Sequence, residues 1–203
     1  GYRRRELLPS HRETTASDSA EAPFTRLDLT PGATRRTGNP LHVAIEGEGF
    51  FVLRRGETVA WTRNGEFDLN EQRQLVQRRA DGDWSLESPI QIPEAAVRIL
   101  IAADGQVAAI TAAQPELPIA CGQIELATCL NPQHLSPFAG DLLATNVHTG
   151  ATHRAPPGSP LVGRLVQGAL ELSNTTHAAE TAALEIIEQT RQLVHRAAAC
   201  IND

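Results

Sequence analysis

Residues 37–51 read TGNPLHVAIEGEGFF. Leu41, Val43 and Ile45 alternate with His42, Ala44 and Glu46, the period of a half-buried strand. Gly47 and Gly49, each preceded by a glutamate, interrupt the pattern, and Phe50 and Phe51 resume it at once. Glycine reaches positive φ without penalty, so the pair predicts a turn or bulge that re-aims the chain inside a sheet.

Outward from this stretch, the chain reads as short strands between turn signals, the signature of an all-β domain. Residues 49–53 form a strand, turned by Arg54-Arg55-Gly56-Glu57. Residues 58–63 and 66–69 flank Asn64-Gly65, which predicts a hairpin with a type I′ turn. Residues 75–78, 84–86 and 90–92 are further short strands. Residues 97–102 and 107–111 flank Asp104-Gly105, a second hairpin. Residues 122–130 read as one long strand with Ile124, Leu126 and Thr128 on one face. Residues 131–160 read as loop.

The two ends differ from this middle. Residues 1–36 are polar, punctuated by Pro9, Pro23 and Pro31, and read as an extended arm with one short strand near residues 24–29. Residues 156–162 begin with Pro156 and Pro157 and read as a semi-rigid linker. In residues 163–203, Ser173-Asn174-Thr175-Thr176 offers N-caps for an Ala-rich helix over about 176–200. Leu184, Ile187, Arg191, Val194, Ala198 and Ile201 are spaced as a heptad seam with one polar intruder, Arg191. Such a helix is roughly 36 Å long, at 1.5 Å per residue, and cannot bury its seam alone. The expected architecture is mainly β: an arm over 1–36, a β domain of short antiparallel strands over 37–155, the linker, and a C-terminal helix.

Composition narrows the function. The chain has 203 residues and a net charge of −6, and all 18 basic residues are arginine. An acidic domain does not present a nucleic-acid face. No run of 18 apolar residues predicts a membrane span, and no cleavable secretory signal opens the sequence. Cys121, Cys129 and Cys200 are odd in number and lack a C-x-x-C, so neither a disulfide framework nor a zinc site is expected. The nucleophile, phosphate-loop, metalloprotease and dinucleotide motifs do not occur. His148 and His153 have no acid placed to complete a metal triad. Cys121, Cys129 and His134 read as structural residues, and Glu46 and Glu48 as solvated turn acids. We expect no catalytic residue, metal or cofactor.

Several stretches together resemble one family, the axial proteins of the bacterial flagellum, and among them the basal-body rod proteins. TGNPLHVAIEGEGFFVL resembles the family's central block, through Gly38, Asn39, Pro40, Gly47, Gly49, Phe50 and Phe51. WTRNGEFDLN, with Arg63, Asn64 and Gly65, resembles its Tyr-Thr-Arg-Asn-Gly hairpin, with Trp61 in the tyrosine's place. PIQIP, ILIAADGQV, GQIELATCLNP and LVQGALELSN follow in the family's order. Gap lengths resemble the distal rod protein most, then the proximal rod protein, then the hook protein. Thr175-Thr176 stands where relatives carry Val-Asn, and Arg191 lies about two residues farther along than the family pattern expects.

The resemblance implies a structural subunit that assembles helically with copies of itself and other axial proteins. It implies export through the flagellar type III apparatus without a cleaved signal, and a place in the periplasmic rod. It also implies an upstream helix that pairs with the C-terminal one as a coiled coil. In the implied β domain, Phe50 and Phe51 start a new strand against the core begun by Leu41, Val43 and Ile45. The competing expectation is a β-rich cell-wall or glycan-binding module with a helical oligomerisation tail, displaying Trp61 and Trp84.

Overall fold

The computed structural model describes residues 5–7, 25–27, 29–30 and 32–172. These residues are mainly β. Strands β1 (Arg5–Leu7) and β2 (Thr25–Leu27) pair antiparallel in the arm. Then follow β3 (Thr34–Arg36), β4 (Val43–Glu46), β5 (Phe50–Arg55), β6 (Thr58–Thr62) and β7 (Asp68–Leu69). Next are β8 (Leu75–Arg79), β9 (Gly82–Leu86), β10 (Ala96–Ile101), β11 (Gln106–Thr111) and β12 (Gln114–Gln123). The last are β13 (Leu126–Cys129), β14 (Ser136–Ala139), β15 (Leu142–Ala144), β16 (Thr152–Ala155), β17 (Arg164–Gln167) and β18 (Ala169–Glu171). The helix expected over 176–200, with its whole seam, lies outside the described residues.

A nine-stranded sheet forms the body, in the order β14-β15-β6-β5-β9-β8-β7, with β13 also pairing β5 and β16 pairing β13. The sheet rolls. The β14–β15 hairpin at one end reaches Arg79 on β8, where Asp141 sits 2.5 Å away, and Phe138 packs edge-on to Trp84 of β9. Strands β10, β11 and β12 make a separate three-stranded sheet, whose β10–β11 hairpin turns at Asp104-Gly105 as expected.

Strand β5 is buried on both faces, so its residues divide between two cores. Phe51 and Leu53 join the main cluster with Val43, Ile45 and Phe67, and Leu41 packs half-buried against it. Phe50 and Val52 face a second cluster with Trp61, Ala127 and Cys129. The two phenylalanines therefore do not share one core, because successive side chains in a strand point to opposite faces. Phe51 meets Phe67 edge-on at 5.2 Å, and Phe50 lies 5.8 Å from the Trp61 ring.

Three expectations need correction. Residues 122–130 are not one strand. Strand β12 ends at Gln123, the Ile124 N–H donates to the Gly105 carbonyl at 2.8 Å, and β13 starts at Leu126 in the other sheet. Residues 131–160 are not loop. They hold β14, β15, β16 and a 3₁₀ turn at Pro132–His134. Segments of three or four residues are too short to show a period. The third concerns Asn64-Gly65. Strand β6 pairs with β5 and β15, and β7 pairs with β8, so no hairpin joins β6 to β7.

Neither Asn64 nor Gly65 has positive φ, so no type I′ turn is present. The Asn64 side chain instead accepts from the Glu66 N–H at 3.0 Å, and the Gly65 carbonyl accepts from Val43 and Phe67. A Cβ at Gly65 would stand 1.6 Å from the Val43 carbonyl oxygen. Glycine is needed here for close approach of two backbones.

Residues 156–162 form a turn closed by Ser159 to Pro156 at 3.3 Å and Val162 to Ser159 at 3.2 Å, with Val162 in the main core. The chain then returns along β17, which pairs β4, and β18, which pairs β3.

This geometry separates two accounts of Gly65. Asparagine tolerates left-handed turns, so a turn position would accept Gly65→Asn. A close-approach position would not. We expect Gly65→Asn and Gly65→Ala to destabilise alike, by about 1–3 kcal/mol as in overpacked cores. Urea unfolding measures it, and a neutral Gly65→Asn would contradict the contact.

Candidate functional site: a buried arginine at the glycine kink

Strand β6 ends at Thr62, and the next side chain, Arg63, turns inward and is 5% exposed. Its Nε donates to the Glu171 carboxylate at 2.7 Å. One Nη1 hydrogen bond goes to the Gly47 carbonyl at 2.8 Å and another to Gly49 at 2.9 Å. Nη2 donates to the Ile45 carbonyl at 3.1 Å. Four of the five guanidinium N–H donors are thereby used.

The opening stretch now has its physical reason. Gly47 and Gly49 have φ of 112° and 116°, a region closed to other residues. That conformation brings the carbonyls of Ile45, Gly47 and Gly49 onto one guanidinium. A Cβ at Gly47 would also lie 2.9 Å from the Gly163 backbone. The kink is a socket for an arginine made of backbone oxygen.

Glu171 completes the arrangement from 108 residues away in the chain. Its other oxygen accepts from the Gly32 N–H at 2.8 Å. One buried carboxylate therefore joins the arm, the return strand and the kink. The local sequence carries a faint signal for it: Glu171 is flanked by Leu170 and Leu172, a charge inside an apolar run.

The remaining motif residues lie beside this socket. Thr37 to His42 loop out opposite the single residue Gly168. Asn39 accepts from the Leu41 N–H at 2.9 Å through its side chain, and its amide nitrogen lies 3.1 Å from His42 Nε2. His42 Nδ1 is 3.0 Å from the Thr37 hydroxyl. The Pro40 carbonyl accepts from Gln167 at 2.7 Å, and the Gly38 N–H points to the Gly168 carbonyl.

The other residues weighed for chemistry are dispersed. Glu46 pairs with Arg164 at 2.5 Å on the surface, and Glu48 is exposed. Burial pushes the thiols of Cys121 and Cys129 above their ordinary range, which disfavours the reactive thiolate. Cys200 lies outside the described residues. His134 and His148 approach to 6.1 Å between ring centres. Among the described residues, no group of three or more His, Cys, Asp or Glu side chains is gathered to hold a metal. Trp61 and Trp84 are 4% and 0% exposed, so neither offers the stacking platform that the glycan-binding expectation required.

The arrangement ties three carbonyls of one kink and the return strand to the end of β6, which is what a structural module needs. Residues 44–109 match the family model described as the flagellar hook protein FlgE/F/G D1 domain. The chain is 37% identical over 155 residues to the flagellar basal-body rod protein FlgG of Caulobacter vibrioides, covering 75% of this chain and 57% of that protein. It is 32% identical over 169 residues to FlgG of Borreliella burgdorferi, covering 82% and 62%. It is 28% identical over 169 residues to the rod protein FlgF of Escherichia coli, covering 82% and 64%. The chain belongs to the flagellar rod-protein family. It spans about three fifths of the length of these relatives.

Two predictions follow from the buried charges. Arg63→Met takes the guanidinium from Glu171, which keeps the Gly32 N–H, and from three carbonyls, and should cost about 3–5 kcal/mol. Adding Glu171→Leu should recover only part of this, because the carbonyls stay unpaired. Full recovery in urea titrations would reduce the arginine to an ordinary ion pair.

The second concerns Asp141. Burial pushes its carboxyl up, but hydrogen bonding to Arg79 and the guanidinium charge outweigh that and hold it below the usual carboxylate range. A depressed folded value stabilises above the unfolded value, about 3.9. That contribution is lost as pH falls from there through the folded value. Asp141→Asn should therefore cost about 1–3 kcal/mol at pH 7 and converge with the parent in strong acid. A constant difference at every pH would refute the linkage.

Proposed function

We propose that this chain is a structural subunit of the flagellar basal-body rod, assembling helically in the periplasm with copies of itself and other axial proteins. Its work is mechanical and needs no catalytic residue or cofactor. Export through the flagellar type III apparatus would carry it to the rod. The assembly surface is the C-terminal segment, whose seam of Leu184, Ile187, Arg191, Val194, Ala198 and Ile201 packs as a helix of about 176–200 against an upstream helix.

One observation carries this reading beyond family membership. Strands β3 and β18 pair antiparallel, and the Leu172 N–H donates to the Ala33 carbonyl at 2.8 Å. The arm and the tail therefore leave the β body side by side. Flanking segments that start as neighbours close a coiled coil at little loop-closure cost. The β body would then ride on the outside of the paired helices.

The test compares this chain with a version extended by its natural upstream residues. The extended version should form oligomers or filaments in light scattering, with residues 176–200 protected from protease. Leu184→Asp with Ile187→Asp should return it to monomer while the β body keeps its melting temperature. An extended version that stays monomeric, with its tail cut rapidly, would remove the mechanism.

A further inference from the structure

The ribbon formed by the arm and the return strand is not continuous. Strand β4 pairs with β17 up to Val43 and Gln167, and β3 pairs with β18 from Arg36 and Ala169. Between the two ladders, one residue on the return strand, Gly168, stands opposite the six residues Thr37 to His42. The Thr37 and Gly38 N–H groups both donate to the Gly168 carbonyl, at 2.8 and 3.3 Å, and the Gly168 N–H donates to the His42 carbonyl at 2.7 Å. Both ends of the excursion are thus pinned to a single glycine.

This joint has the makings of a pivot. Gly38 and Gly168 both have φ of 75°, and a Cβ at either would meet nothing within 4 Å. They are glycines for backbone angle in open space, so the joint is held by hydrogen bonds and not by side chains packed against the two glycines. Strand β3, beyond the joint, is exposed along its whole length.

Beyond the joint Ala169 is buried and Leu29 packs against the second core, and one charged side chain reaches back into the body. Glu171, on β18, accepts from Arg63 at 2.7 Å and from the Gly32 N–H at 2.8 Å. Its side chain is 5% exposed and that of Arg63 is 4% exposed. Arg63 itself is fixed from the body side by the carbonyls of Ile45, Gly47 and Gly49.

We propose that the Glu171 carboxylate is the lock of a hinge at Gly38 and Gly168, and so sets the direction in which the arm and the tail leave the β body. The consequence for assembly rests on the rod-subunit reading; the hinge itself is a property of the isolated chain. With the lock closed, arm and tail project at one angle. With Glu171 released from Arg63, the β3–β18 ladder turns about the two glycines while the nine-stranded sheet keeps its core.

Amide hydrogen exchange on the whole chain tests this. Glu171→Gln keeps the size of the side chain, but puts an NH2 donor where one of the two oxygens accepts from Arg63 or Gly32. The N–H groups of Gly32, Thr37, Gly168 and Leu172 should exchange at least tenfold faster, with those of β5, β6 and β8 unchanged. Glu171→Asp, which keeps the charge on a shorter reach, should fall between. Gly168→Ala strains the pivot alone and should speed exchange at the same four groups.

Faster exchange spread evenly over the body would make Glu171 a general stabiliser and overturn the hinge. So would unchanged exchange at the four groups. Light scattering of the extended version separates the two proposals. Localised exchange with no oligomer keeps the hinge and removes the rod-subunit reading. Oligomers with evenly spread exchange do the reverse.

Discussion

A positive charge inside a protein must be met from every side, and Arg63 shows how much structure that demand can organise. Desolvating a guanidinium costs several kcal/mol unless its donors are used. Here the acceptors come from β4, from the turn that follows it and from the far end of the return strand. For the carbonyls of Gly47 and Gly49 to point inward, φ must be positive at both positions. For Glu171 to arrive, the chain must complete the whole β body and come back beside its own arm. The interaction is thus satisfied only by the finished fold.

The kink has a second effect, on packing. It re-aims the chain so that β5 runs through the middle of the sheet rather than continuing β4. A central strand buries both faces, which is why FFVL reads as a continuous apolar run and not as an alternation. The alternation persists in three dimensions as a division of labour. Phe51 and Leu53 pack on the main core, and Phe50 and Val52 on the second. The second core is then capped by the rolled β14–β15 hairpin, through Leu135 and Leu143. The loop-like composition of residues 131–160 hides this hairpin.

What the sequence made legible was whatever depended on near neighbours. The strand through Val43 and Ile45, the glycine kink, the hairpin at Asp104-Gly105 and the short strand in the arm all follow from local chemistry. The Asn64-Gly65 dipeptide shows the limit of that approach. Its local preference is a tight left-handed turn, yet the Val43 backbone takes the space beside Gly65 and the chain passes through in an ordinary conformation. Tertiary contact overrode turn propensity. The partnership of Arg63 with Glu171 was beyond local reading altogether, since no period or spacing links residues 108 apart. Locally, Arg63 belongs to a hairpin motif and Glu171 to no motif. A charge set between Leu170 and Leu172 asks for a buried partner, and the chain's one arginine followed by Asn-Gly was the place to look.

Buried ion pairs can often be exchanged for well-packed hydrophobic residues at no loss, and sometimes at a gain. That substitution works when the two charges are each other's main partners. Arg63 is different, because three of its four hydrogen bonds go to backbone carbonyls. A carbonyl cannot be mutated away, and an unpaired buried one costs about 1–3 kcal/mol. An apolar pair at positions 63 and 171 would remove two charges and strand three oxygens. Those oxygens face inward only because two glycines put them there, and the glycines would then serve no purpose. The arginine, the carboxylate and both glycines therefore form one unit. Replacing any member removes hydrogen bonds that the other members are placed to make.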